Sequence, residues 1–220
     1  MDYSLIKNSE KLTTLVRIVA HLMGDGCVTK KYFAYYNKNQ LLIDNFEKDV
    51  LNVFPKVHVT KGKVNSGTHF RMITNKSIIE FLKSILPDYR SHTLSIPSMI
   101  NNRDLKKEFL RALYDDEGCV GLRAFKKTNE IKRNLTLSSN SRRLIEEIKL
   151  MLCNNFGIVS NKIQTCVKNR DEKIFTNYVL SITGKSNFEK FREKIGFVHP
   201  EKSEKLTRMI YSYKRLSATT

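Results

Sequence analysis

Asp25 and Glu117 stand 92 residues apart in matching surroundings. The segment Ile18-Val19-Ala20-His21-Leu22-Met23-Gly24-Asp25-Gly26-Cys27-Val28 is answered by Leu110-Arg111-Ala112-Leu113-Tyr114-Asp115-Asp116-Glu117-Gly118-Cys119-Val120. Both run small or apolar residues at helical spacing into an acid, a glycine, a cysteine and a valine. Ala20 and Gly24, four apart, leave a shallow strip on one helix, and Ala112 offers a small contact on the other, so two backbones can approach closely. Helices paired in this way bring Asp25 and Glu117 together at their C-terminal ends. Two carboxylates so close repel, and the partial negative charge of each helix C-terminus adds to the repulsion. A divalent cation relieves both. Hard oxygen donors favour Mg2+, which keeps several waters and uses one or two carboxylates together with phosphate oxygens.

The elements that must position these acids recur with them. Four times a strand-like alternation runs into a polar cap and opens an amphipathic helix, at Asn37 to Asn39, Asn75 to Ser77, Asn140 to Ser141 and, more loosely, Gly184 to Ser186. Two copies follow each acid-glycine motif, so each half reads as αββαββα. Gly62, Ser66-Gly67, Lys127 to Asn129 and Asn169 to Asp171 supply the turn signals between strands. The fold expected is α+β: a tandem repeat with two antiparallel sheets and the motif helices at the shared interface. Pro97 and the pair Asn101-Asn102 interrupt the periodicity. They set an N-terminal half at 1–97, a linker at 98–103 and a C-terminal half at 104–220. A last helix is expected from Pro200 to about Leu216, where Leu206, Ile210 and Tyr213 recur at helical spacing.

Charge then narrows the partner. The 220 residues hold 39 Lys and Arg against 22 Asp and Glu, a formal net charge of +17. On a chain with 40% hydrophobic residues, enough to pack a core, such an excess points to a polyanion, because each phosphate neutralised releases a condensed counterion. The same composition excludes wholesale disorder. No run reaches the roughly 18 apolar residues of a membrane span, no basic amphipathic helix with an apolar anchor face stands out, and Met1 to Leu12 is too polar for a signal peptide. The expected place is the cytoplasm or nucleoid of a prokaryote, or an organelle matrix, and not the secreted space. Cys27, Cys119, Cys153 and Cys166 are too scattered for a disulfide framework or a zinc pair and are read as thiols. The five histidines show no metal-ligand spacing, and no P-loop, Rossmann or nucleophile-elbow pattern occurs.

Taken together, the paired acid-glycine motifs inside an αββαββα repeat resemble the single-chain, two-motif LAGLIDADG homing endonucleases, over nearly the whole chain. The first motif departs from the family's nine letters at His21 and Met23, and the second carries Asp116 where a small residue is usual. The resemblance implies a monomer that cuts both strands of a long, nearly non-palindromic DNA site by metal-dependent phosphodiester hydrolysis, leaving 3′ overhangs, and that is encoded by a mobile intron or similar element. Mg2+ is the implied metal, with Mn2+ able to substitute and Ca2+ binding without supporting cleavage. Asp25 and Glu117 are the implied ligands, with the backbone carbonyls of Gly24 and Asp116 as weaker contacts. Asn37 and Lys38 fall where the family places a polar water-organising residue and, in some members, a lysine, and Asn140 is read as the counterpart in the second half. Lys202 resembles the family's basic residue near the active centre, while Arg90 is a weak counterpart. Two alternatives stand beside this reading: an intron maturase that binds RNA on the same fold, and an inactive DNA-binding regulator. A degenerate regulator commonly loses the acids, which are present here. No Cys or Ser start is paired with a terminal His-Asn, so a free-standing protein is expected over an intein.

Recognition of duplex DNA is expected on the strands. Alternation sets Phe70 and Met72 against His69 and Arg71, and Leu135 and Leu137 against Asn134, Thr136 and Ser138. The polar members are expected to face DNA from a saddle of two sheets, where Arg, Lys, Asn and Gln side chains can reach base edges. Lys30, Lys31, Arg123, Lys126, Lys127, Lys132 and Arg133 are the expected contacts to phosphate or groove.

Overall fold

Short polar side chains set the helix starts. The side-chain oxygens of Asn39, Asn75, Asn102 and Ser141 accept from the backbone N–H three residues on, at 3.3, 3.2, 2.9 and 3.2 Å, satisfying donors that a first helical turn leaves open. The computed structural model describes residues 9–125, 130–170 and 173–213. Its elements run α1 (Ser9–Met23), β1 (Gly26–Val28), β2 (Phe33–Asn37), α2 (Gln40–Val53), β3 (Thr60–Lys63), β4 (His69–Ile73) and α3 (Lys76–Ile85). They continue as α4 (Arg103–Glu117), β5 (Gly118–Phe125), β6 (Glu130–Ser139), α5 (Arg142–Phe156), β7 (Gln164–Arg170), β8 (Lys173–Ile182), α6 (Lys185–Lys194) and α7 (Pro200–Tyr211). The pattern αββαββα thus occurs twice, with α7 added to the second copy.

Both sheets are antiparallel and four-stranded, in the orders β1-β2-β4-β3 and β5-β6-β8-β7. The register repeats as well: Gly26 pairs with Tyr35 in the first sheet as Gly118 pairs with Leu137 in the second. Repeat and compact unit divide at different residues. The chain forms two compact units, 1–116 and 117–220, so nearly all of α4 packs with the first.

In the first unit, Phe33, Tyr35 and Ile73 are fully buried, as are Leu42, Ile43, Phe46 and Val50 of α2. Arg71 lies on the same side of the sheet, donating to Glu47 at 2.6 Å and Asp44 at 3.0 Å, both on α2. The strand faces are therefore the reverse of those expected: Phe70 and Met72 lie on the side away from α2, where Phe70 sits 5.9 Å from the Tyr36 ring. Arg71, 6% exposed, is committed to the two α2 carboxylates, and His69 shares its strand parity.

In the second unit, Leu135, Leu137, Leu180 and Ile182 are buried with Leu144, Ile145, Ile148 and Leu152 of α5. Gly157 ends α5 in the left-handed conformation (φ 64°), its N–H and that of Ile158 reaching back to Cys153 and Leu152. The helix side of β6 also holds Arg133, which donates to the Ser212 hydroxyl at 2.7 Å and carbonyl at 3.1 Å and stacks 4.2 Å above the Tyr213 ring. Arg133 therefore fastens the end of α7 and does not share the face of Asn134, Thr136 and Ser138. The expected helix at 200–216 is confirmed as far as Tyr211.

Candidate active site

Asp25 sits at a sharp passage from helix to strand. The Gly24 N–H closes the last turn of α1 on Ala20, and β1 begins one residue after Asp25. Gly26 makes the turn possible, because a Cβ there would lie 2.6 Å from the Leu22 Cα and 2.9 Å from the His21 carbonyl oxygen. The backbone of Asp25 is held too, its carbonyl accepting from the Tyr36 N–H at 3.1 Å. The side chain remains exposed.

Its carboxylate is gripped by Asn37, the last residue of β2. The Asn37 side-chain oxygen accepts from the Asn39 N–H at 2.9 Å, which turns the amide nitrogen outward. That nitrogen donates to Asp25 Oδ2 at 3.0 Å and approaches the Tyr35 hydroxyl at 3.1 Å and Asp116 Oδ1 at 3.4 Å. Asn37 thus uses both ends of its side-chain amide within the protein, the nitrogen on the Asp25 carboxylate and the oxygen on the Asn39 N–H.

Behind Asn37 lies a buried polar group. The Tyr35 hydroxyl donates to Asp116 Oδ1 at 2.6 Å, and His21 Nδ1, 2.9 Å away, donates to Asp116 Oδ2. The Asp116 side chain is wholly buried and that of His21 is 6% exposed. Burial by itself disfavours a charged imidazole, but the Asp116 carboxylate outweighs it and raises the His21 pKa. Burial, then Asp116, pushes the Tyr35 phenol far up, so it stays protonated and serves as a donor. Asp116, whose position is small in the usual motif, is thereby compensated by His21, whose position is apolar there. The helices still meet closely, since a Cβ on Gly24 would lie 2.8 Å from that of Asp116. A further ion pair, Arg17 with Glu108 at 3.5 Å, joins α1 to α4.

Glu117 closes α4, and β5 begins at Gly118. Because Gly118 pairs with Leu137 as Gly26 pairs with Tyr35, Glu117 has the same place relative to its sheet as Asp25 has to the first. Register also names the counterpart of Asn37, which is Ser139 and not Asn140. The Ser139 hydroxyl accepts from the Ser141 N–H at 3.1 Å, as Asn37 does from Asn39. Asn140 is the counterpart of Lys38, and both are exposed at the strand-to-helix turn. Sequence reasoning missed Ser139; aligning the caps Asn39 and Ser141, three residues before Leu42 and Leu144, finds it.

Of the remaining expected residues, Lys202 is half-buried in the first turn of α7. Arg90 is held by Asp88 at 2.6 Å, in the loop after α3. Lys30 and Lys31 are exposed in the turn between β1 and β2. Arg123 and Lys132 are exposed cross-strand partners. They share their face with Asn134, which lies over Gly121, and with Thr136 and Ser138. Lys126 and Lys127 lie outside the described residues.

A tandem αββαββα repeat with an acid at the end of each motif helix, in one register with each sheet, defines the fold of two-motif LAGLIDADG proteins. Residues 104–196 match the LAGLIDADG-like domain. The chain superposes on mesophilic variants of the homing endonuclease I-DmoI with a TM-score of 0.63 at 18% identity, covering 90% of this chain and 98% of that one. I-DmoI in complex with DNA and Mn gives 0.58 at 17% identity, over 84% and 97%. Residues 104–196 are therefore similar to the LAGLIDADG-like domain, and the chain has the fold of a single-chain, two-motif LAGLIDADG homing endonuclease.

Relatives of known sequence are larger proteins. The chain is 25% identical to glutamine–fructose-6-phosphate aminotransferase of Methanocaldococcus jannaschii over 215 residues, 92% of this chain and 18% of that protein. It is 24% identical to the replication factor C small subunit of the same organism, over 94% and 11%. It is also 25% identical to the replicative DNA helicase DnaB of a Synechocystis strain, over 84% and 22%. The chain spans less than a quarter of the length of each. Among the described residues no helix is long and apolar enough to cross a membrane.

Proposed function

We propose that the protein is a site-specific, metal-dependent DNA endonuclease that cuts both strands of a long, nearly non-palindromic target and leaves 3′ overhangs. The observation that carries this reading is the equivalent placement of Asp25 and Glu117, each at the C-terminal end of a motif helix and directly before the edge strand of its sheet. The matched segments add support. An aminotransferase, a replication factor subunit and a replicative helicase are different proteins, yet each shares a stretch covering most of this chain, as expected of a mobile element.

The donor set suits a hard cation. Asp25 and Glu117 would hold Mg2+ through carboxylate oxygens, with the carbonyls of Gly24 and Asp116 as weaker contacts, and Mn2+ would substitute. Bound there, the cation would lower the pKa of a water and stabilise charge on the phosphate. The chain's own residues do the rest. Asn37 holds the Asp25 carboxylate in one orientation. Lys38 and Asn140, at equivalent turns, would meet the phosphates beside the scissile bonds, and Lys202 would neutralise developing charge.

DNA would lie on the sheet faces away from the helices. The second sheet supports this most directly, because Arg123 and Lys132 face each other across β5 and β6. Like charges directly opposed destabilise a bare sheet and are favoured where a polyanion covers them. Asn134, Thr136 and Ser138 would read bases beside them, and Lys30 and Lys31 would add contacts from the first unit.

The test is cleavage of a duplex that carries the joined flanks of the protein's own insertion site. With Mg2+ the wild type is expected to cut both strands, while Asp25→Asn and Glu117→Gln bind the duplex with unchanged affinity and cut it at least about 100-fold more slowly. Normal cutting by both variants would defeat the assignment, and binding of intron RNA in place of the duplex would favour a maturase.

A further inference from the structure

The open face of the first sheet is apolar where that of the second is polar. Register sets Cys27, Ala34, Met72 and Thr60 side by side across β1, β2, β4 and β3. Tyr36, Phe70 and Gly62 form the next row. Ala34 is fully buried, while Tyr36, Phe70 and Met72 are half-buried with the rest of each side chain open to solvent. On the second sheet the same face carries Arg123, Lys132, Asn134 and Thr136. The Phe70 ring lies over Gly62, where a Cβ would collide with it, and stands 5.9 Å from the Tyr36 ring. This aromatic pair is fixed before any partner arrives, and a side chain already ordered loses little freedom on binding.

Charge decides what such a face can take. Strands β1 to β4 contain no Asp or Glu. Exposed lysines stand at their ends: Lys30 and Lys31 in the turn between β1 and β2, Lys38 after β2, and Lys63 closing β3. Among the described residues none of the four is paired with a carboxylate. A second copy of the chain laid on this face would set like charges against one another, which repels it. Duplex DNA has the complementary pattern, with phosphates along the rims and, between them in the major groove, the 5-methyl of thymine. That methyl is the one apolar group on a base edge there, so side chains with few donors and acceptors tell bases apart chiefly by it.

We infer that the first sheet reads its stretch of the target through thymine methyl groups, with Phe70, Met72 and Tyr36 as the contacts, whereas the second sheet reads by hydrogen bonds. This rests on the endonuclease reading above and adds to it a chemical difference between the two arms of the target. The arm on the first sheet holds thymines at the contacted positions, and their methyl groups carry its specificity.

The experiment measures binding of the insertion-site duplex by fluorescence anisotropy without divalent metal, so that no strand is cut. Deoxyuridine replaces thymidine in one arm, in the other, or in neither. The replacement removes only the methyl, and each buried methyl is worth about 4-fold in affinity. One arm is expected to lose about 10-fold or more and the other less than about 2-fold. Met72→Ala and Phe70→Ala should each shrink the larger loss by about 3-fold, while Arg123→Ala weakens binding of every duplex alike. Met72→Ala leaves the ring over Gly62 in place and carries the test if Phe70→Ala fails to fold. Small losses in both arms, equal losses in both, or a larger loss that Met72→Ala does not shrink overturn the inference and leave the endonuclease reading intact. So does an insertion site without thymine in either arm. A dimer in sedimentation that Met72→Ala dissociates would give the face to a second copy instead. A wild type that does not bind the unmodified duplex, with or without Mg2+, overturns the endonuclease reading and the inference with it.

Discussion

The contact between His21 and Asp116 joins two residues 95 positions apart, each a departure from the usual motif and each costly alone. A carboxylate with no exposure cannot remain charged without a partner, and removing one member of such a pair typically costs about 3–5 kcal/mol. Replacing both by residues that fit costs much less. His21→Leu and Asp116→Ala are therefore each expected to lower stability by about 3 kcal/mol or more, and the double variant to recover most of the loss. Chemical denaturation of the four proteins checks this, and additive losses would count against a coupled pair. The sequence shows both residues as exceptions. Their meeting was not legible, because spacing along each motif says nothing of how one helix is rotated against another.

Elements show the same gap between pattern and placement. Alternation in β4 is plain, but His69-Phe70-Arg71-Met72-Ile73 has apolar residues on both parities, and a one-residue choice flips every side chain. What decides it is α2, which presents Asp44 and Glu47 three apart on one face to receive Arg71. Periodicity locates both elements and cannot show that those acids turn inward. The arrangement has a pH signature. Burial of Glu47, 15% exposed, works against its charge, yet Lys61 and Arg71 prevail and lower its pKa. A depressed carboxylate pKa stabilises the fold above the ordinary glutamate value, and that stability is lost as pH falls through the lowered value. Glu47→Gln should therefore cost about 1–3 kcal/mol at neutral pH, with the deficit shrinking in acid. Denaturation across pH measures it, and a constant deficit would show that charge on Glu47 contributes nothing.

For the whole molecule the excess of basic charge is a statement about salt. The tandem repeat was legible because its motifs and caps recur in order, and the two sheets repeat both strand order and register. Which basic side chains face a partner was less legible, since neighbouring arginines and lysines on a strand point to opposite faces. Lys132 and Arg133 illustrate it: the first is exposed beside Arg123, and the second is turned to Ser212 and Tyr213 at the end of α7. Each phosphate contact contributes nearly one unit to the slope of log affinity against log salt. Arg123→Ala and Lys132→Ala should each reduce that slope by about one and weaken binding across sequences alike. Arg133→Ala should leave the slope unchanged and lower stability by about 1–2 kcal/mol, through the lost hydrogen bonds and ring contact. Fluorescence anisotropy over a salt series separates the three, and a reduced slope for Arg133→Ala would place that side chain on the DNA after all.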